Sequence, residues 1–137
     1  MRRMASGTVA AVWAALISCQ VAVAQPTPIP APPCVVVTGK SVTIAVDRLA
    51  AVDKACVEIR QGRTDVVWQG GADVKELRIV FKAGATSPPD APRCAGSVCT
   101  LEKAKHATKK GVFDYAVHVV RQDGSKVEVD PRLIIQP

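Results

Sequence analysis

An all-β sandwich is the fold that this sequence predicts, from three observations. Apolar residues recur at every second position in one short segment after another. Turn signals containing Gly, Asp or Pro separate those segments, and no stretch carries the apolar stripe of an amphipathic helix. With 137 residues the chain is long enough for one such domain.

The elements follow in chain order. Val42, Ile44 and Val46 alternate with Ser41, Thr43 and Ala45, which predicts a half-buried strand. Residues 48–55 fit a single turn of helix. Val57 and Ile59 alternate with Glu58 and Arg60, and the turn Gln61-Gly62-Arg63 leads into Val66-Val67-Trp68. Leu77, Ile79 and Phe81 alternate with Arg78, Val80 and Lys82, and residues 101–109 fit a second short helical turn. Phe113, Tyr115, Val117 and Val119 form another run, after which the dipeptide Asp123-Gly124 signals a hairpin into Val127 and Val129. Asp130-Pro131 separates that segment from Leu133-Ile134-Ile135, because proline has no N–H to give to a ladder. The expected architecture is an antiparallel Greek-key β-sandwich of seven to eight strands. Trp68 is its expected centre, with Phe81, Phe113 and Tyr115 around it and Val and Ile filling the remainder.

The N-terminus reads as an export signal. Arg2 and Arg3 precede residues 5–17, which carry no charge and have the length of a signal-peptide core, short for a bilayer span. Two cleavage sites compete. Ala22-Val23-Ala24 before Gln25 presents the small residues that a signal peptidase reads, giving a signal peptide over residues 1–24. Leu16-Ile17-Ser18-Cys19 resembles the lipobox of bacterial lipoproteins, which would end the signal at residue 18 and place a lipid on Cys19. The expected location is the periplasm or the extracellular space, or the outer membrane for a lipoprotein. Residues 25–33 hold five prolines and form a stiff, extended linker ahead of the domain at residues 34–137.

Either cut leaves Cys34, Cys56, Cys94 and Cys99, and an even count in an exported domain predicts two disulfides. Ala95-Gly96-Ser97-Val98 can turn tightly enough to close a Cys94–Cys99 bridge, and Cys34 with Cys56 would complete the set among three possible connectivities. A zinc site from Cys94, Cys99, His106 and His118 has the right residue types, but its spacing matches no compact structural site.

Formal net charge is +6. Without Arg2 and Arg3 the 18 basic residues become 16 against 12 acidic, a formal +4. Lys103, Lys105, His106, Lys109 and Lys110 cluster within eight residues, a patch suited to anionic envelope material. No aromatic residue interleaves with the lysines, so stacking on nucleic-acid bases is not expected. Ser41, Ser87, Ser97 and Ser125 lie in no nucleophile motif, the carboxylates are scattered, and no Gly-rich phosphate loop occurs. The sequence therefore predicts no enzyme and no cofactor.

The residues Val57 through Gly62, followed by Asp65-Val66-Val67-Trp68, resemble the first half of the cupredoxin-like fold. Gly111, Phe113, Tyr115 and Val117, with the hairpin and apolar strand after them, resemble its last strands. The ending from Asp130-Pro131 to Ile134-Ile135 also resembles that of small exported bacterial proteins. The resemblance covers roughly residues 40–137, and an immunoglobulin-like sandwich shares much of the pattern. It implies a copper site of two His, one Cys and a Met, and here the ligands are missing. Residues 72–78 hold no His, Val117 stands where the Cys is expected, and no Met follows Met4. The expectation is a non-enzymatic binding or structural module at the cell envelope, touching anionic material or another exported protein. The alternative is a metal-binding or redox accessory protein using His118, His106 and the Cys94–Cys99 pair.

Overall fold

In a strand, successive side chains point to opposite faces, so period-two alternation buries one set and exposes the other. A computed structural model of the chain describes residues 24–27, 33–84 and 86–137. The signal segment with Cys19, and most of the Pro-rich linker, lie outside the described residues.

Ten strands occur among the described residues. They are β1 (Val35–Val36), β2 (Ser41–Val46), β3 (Cys56–Arg60), β4 (Asp65–Gly70), β5 (Val74–Phe81), β6 (Arg93–Ala95), β7 (Val98–Leu101), β8 (Gly111–Arg121), β9 (Lys126–Val129) and β10 (Arg132–Gln136). One sheet has the order β1-β3-β10-β8-β5, with β9 also paired to β8; the other has the order β2-β4-β7-β6. The inward residues of both form one core. Val42, Ile44, Val46, Val66, Trp68 and Leu101 meet Val57, Ile59, Leu77, Ile79, Phe113, Tyr115, Val117, Val119, Leu133 and Ile135.

The strand count exceeds the expected seven to eight, because β1, β6 and β7 are too short to show a period. The sheets are mixed where antiparallel ones were expected. β2 runs parallel to β4, and β3 runs parallel to both β1 and β10. The cause lies in the connections. β3 stands in the opposite sheet from β2 and β4, so those two are joined by a crossover, which parallel neighbours require, and not by a hairpin.

Neither expected helical turn forms as such. Residues 48–55 are an irregular loop that seals the free edge of β2. Ala45 N–H donates to Asp53 Oδ1 at 2.8 Å, Asp53 N–H donates to the Ala45 carbonyl at 3.0 Å, and Lys54 Nζ donates to the Thr43 carbonyl at 2.8 Å. In residues 101–109, Leu101 ends β7 and only Lys103–Lys105 winds, as a 3-10 turn. The predicted hairpin forms where Gly124, at φ 84°, donates its N–H to the Arg121 carbonyl. Asp130-Pro131 divides β9 from β10, yet both pair with β8, and the Pro131 carbonyl accepts the Tyr115 N–H at 3.1 Å.

Trp68 of β4 and Tyr115 of β8 are both fully buried, with ring centroids 5.4 Å apart and edge-on. Trp68 Nε1–H donates to Tyr115 Oη at 3.1 Å, and Phe81 packs edge-on against both Tyr115 and Phe113. Burial pushes the Tyr115 phenol from 10.0 up to about 12, against the opposing effect of the Trp68 N–H. The unfolded chain therefore loses this proton first. The contribution is fully present below pH 10 and disappears as pH rises towards 12. Denaturant titrations should show a loss on the order of 2–3 kcal/mol across that interval, absent in Tyr115→Phe.

Two disulfides, Cys34–Cys56 and Cys94–Cys99, staple the sandwich at sequence separations of 22 and 5. The first fixes the two-residue β1 to β3, and the second ties the β6–β7 hairpin. Closing the longer loop restricts the unfolded chain more. Replacing Cys34 and Cys56 by Ser should cost about 1 kcal/mol more, by urea midpoint, than replacing Cys94 and Cys99.

Candidate functional site

The loops at one end of the sandwich gather around a buried histidine. Thr64 and His106 are the buried polar side chains among the described residues, and they sit together. His106 Nδ1 accepts the Gly62 N–H at 3.3 Å, and Nε2 lies 2.6 Å from the Thr64 carbonyl. A carbonyl only accepts, so the proton is on Nε2 and the imidazole is neutral. Thr64 Oγ1 donates onward to the Gly39 carbonyl at 2.7 Å. Gly62 takes a left-handed φ of 66°, which an L side chain rarely adopts, with Ala107 Cα 3.7 Å from the place a Cβ would occupy. These bonds pin the β3–β4 turn, the β1–β2 loop and the β7–β8 loop to one another.

This corrects the expectation from sequence, which counted His106 with the lysines of an anion-binding patch. The imidazole is enclosed and both its nitrogens are engaged by backbone. The basic spacing around it is that of a loop wrapped over its own anchor.

Lys103, Lys105 and Lys110 are exposed and Lys109 is half-buried, all on the β7–β8 loop. The clamp brings further cations beside them. Lys103 N–H donates to Asp65 Oδ1 at 2.7 Å, and Asp65 N–H donates to the Lys40 carbonyl at 2.9 Å. Arg63 is exposed on the turn whose Gly62 holds His106. Lys40 and Arg63 were not recognised from sequence, because they lie about 40 or more positions from the lysine cluster and carry no local signal.

The salt bridges among the described residues lie elsewhere: Lys54–Asp53, Arg78–Glu76, Lys82–Asp130 and Arg132–Asp114, with His118 in contact with Glu128. The Arg132 hydrogen bond holds the Asp114 carboxyl below its usual range. No such partner meets Lys40, Arg63, Lys103, Lys105, Lys109 or Lys110 within the described residues.

The residues of the metal or redox alternative do not converge. Cys94 and Cys99 are bonded to each other, His106 is satisfied by backbone, and His118 stands on the outer face of β8 with Nδ1 3.2 Å from Glu128 Oε2. Among the described residues no group of three His, Cys, Asp or Glu side chains is placed to hold a metal. An apolar groove of about 540 Å³ lies along β2 and the end of β4, and its carboxylates Asp47 and Asp53 are used by neighbouring backbone N–H groups.

Comparison with protein-family models, curated proteins and solved structures finds no match to this chain.

His106→Ala should leave the Gly62 N–H and the Thr64 carbonyl unpaired around a cavity, at a cost of roughly 2–4 kcal/mol by thermal or chemical unfolding. Exposed Lys105→Ala should stay within about 0.5 kcal/mol of the parent.

Proposed function

We propose that the chain is an exported, non-enzymatic binding module of the cell envelope, held to anionic material by the lysines at the His106 end. The observation that carries this reading is the group of cations at that end without carboxylate partners. Four of them, Lys103, Lys105, Lys109 and Lys110, sit on one loop fixed from beneath. A loop that serves only solubility needs no buried anchor, whereas a contact surface gains from one because less ordering is required on binding.

Export is supported by the basic and apolar N-terminal sequence and by two disulfides, which persist in oxidising compartments. Whether the mature domain is free in the periplasm or tethered through Cys19 turns on the two competing cleavage sites. A Greek-key sandwich of cupredoxin-like type is the fold reading kept here. It is supported by the two parallel pairings, β2 with β4 in one sheet and β3 with β10 in the other.

Replacing Lys103, Lys105, Lys109 and Lys110 together by Ser should abolish salt-sensitive retention on anionic envelope material, measured by co-sedimentation across an ionic-strength series. Retention that survives the substitution, or that ignores salt, would remove the lysines from the contact.

A further inference from the structure

We infer that the partner of this end is an anionic lipid surface, met by a combined cationic and apolar face. The inference rests on the proposed anionic contact and names its chemistry. Three observations carry it. First, the cationic area is wider than the lysine loop. Lys40, Arg63 and Arg60 join Lys103, Lys105, Lys109 and Lys110, drawn from three connections and the end of β3 at one end of the sandwich, and none of the seven has a salt-bridge partner among the described residues.

Second, an apolar row borders it. Strand register aligns Val36, Glu58, Ile134 and Val112 across β1, β3, β10 and β8 on the outer face of the first sheet. Val36 is 64% and Val112 56% exposed, the former the most exposed large hydrophobic among the described residues. Glu58 interrupts the row, and Arg60 stands two residues along β3 on the same face, paired in register with Gln136. Lys110 immediately precedes Gly111, which pairs with Ile135 one position before Gln136. Arg60 and Lys110 therefore edge the apolar row where it meets the cationic end.

Third, no enclosed pocket collects the charges. The hollow beside Lys105 and Arg93 is small, about 130 Å³, and the one of about 380 Å³ lined by Val36, Glu58 and Arg60 takes only one of the seven cations. That arrangement suits many anions in a plane better than one bound anion. A soluble polyanion would use the cations alone, whereas a headgroup layer also receives apolar side chains at its acyl boundary. The exposed Val36 and Val112 beside the charges favour the lipid surface.

The test is co-sedimentation of the full chain with vesicles of phosphatidylcholine and with vesicles of an equal mixture of phosphatidylcholine and phosphatidylglycerol. The reading is the ratio of the two partition coefficients in each variant relative to that in the parent, so that the N-terminal segment with Arg2 and Arg3, common to both, cancels. The ratio should exceed one and fall by about fivefold for each of Lys40→Ser, Arg60→Ser and Arg63→Ser. Val36→Ser with Val112→Ser should lower partition into the mixed vesicles by roughly tenfold, with binding to soluble dextran sulfate unchanged. Near-ultraviolet circular dichroism of the Trp68–Tyr115 pair checks that each variant is folded. A ratio of one with dextran sulfate still bound would overturn the lipid surface and leave the anionic contact standing. Loss of both would overturn both. Partition indifferent to the two valines would remove the apolar row. Displacement by inorganic phosphate, beyond that by chloride of equal ionic strength, would replace the surface by a single-anion site.

Discussion

The hydrogen bond from Trp68 to Tyr115 joins two open sheets at their centre, and the packing of each depends on it. Neither sheet closes on itself, so the domain is held by what lies between them. Trp68 and Tyr115 supply much of that volume, and each carries a polar atom that would be costly to bury alone. Donated to one another, those atoms are satisfied, and they set the register on both sides. A slip of β8 by one residue would turn Tyr115 outward and bring Ala116 to the core, with His118 inside in place of Val117 and Val119. The pairing of β5, β9 and β10 along β8 follows from the same placement.

Open sheets have edges, and three of the edge strands here are managed by local chemistry. Asp53 and Lys54 cover the free side of β2 with a carboxylate and an ammonium where another chain's backbone would otherwise pair. β1 is two residues long and stapled at Cys34, and β6 is three residues long and stapled at Cys94. Short, cross-linked edges discourage strand addition.

The cationic end rests on a different constraint. Several like charges close together repel, and loops carrying them separate unless something beneath holds them. The neutral His106 ring does so by tying its own loop to the β3–β4 turn, accepting from the Gly62 N–H and donating to the Thr64 carbonyl, without adding a charge of its own. The burial of Thr64 beside it completes a small polar cluster whose bonds all run to backbone, and backbone positions are what a fixed surface requires. Elsewhere on the outer face of the first sheet some charges are paired, as Arg132 is with Asp114.

The sequence by itself determined the strands that carry a period, the aromatic centre, the hairpin at Asp123-Gly124 and the cysteines that bond. Alternation is a property of one strand's two faces, so Val57 and Ile59, or Phe113 through Val119, declare their burial without knowing their neighbours. Only the tertiary structure decided the order and direction of those strands, because β3 crosses to the opposite sheet and makes β2 and β4 parallel. It also made strands of residues 93–95 and 98–101, where the sequence showed a disulfide loop, since four residues are too few for a period. His106 is the clearest case. Composition put it with the lysines in solvent, while the fold buried it, because the Gly62 N–H and the Thr64 carbonyl that it satisfies lie more than 40 residues away. The site was legible as a run of lysines. Its breadth, with Lys40, Arg60 and Arg63 and the row of Val36, Ile134 and Val112, depends on which loops and strands meet, and that is settled by packing between segments distant in the chain.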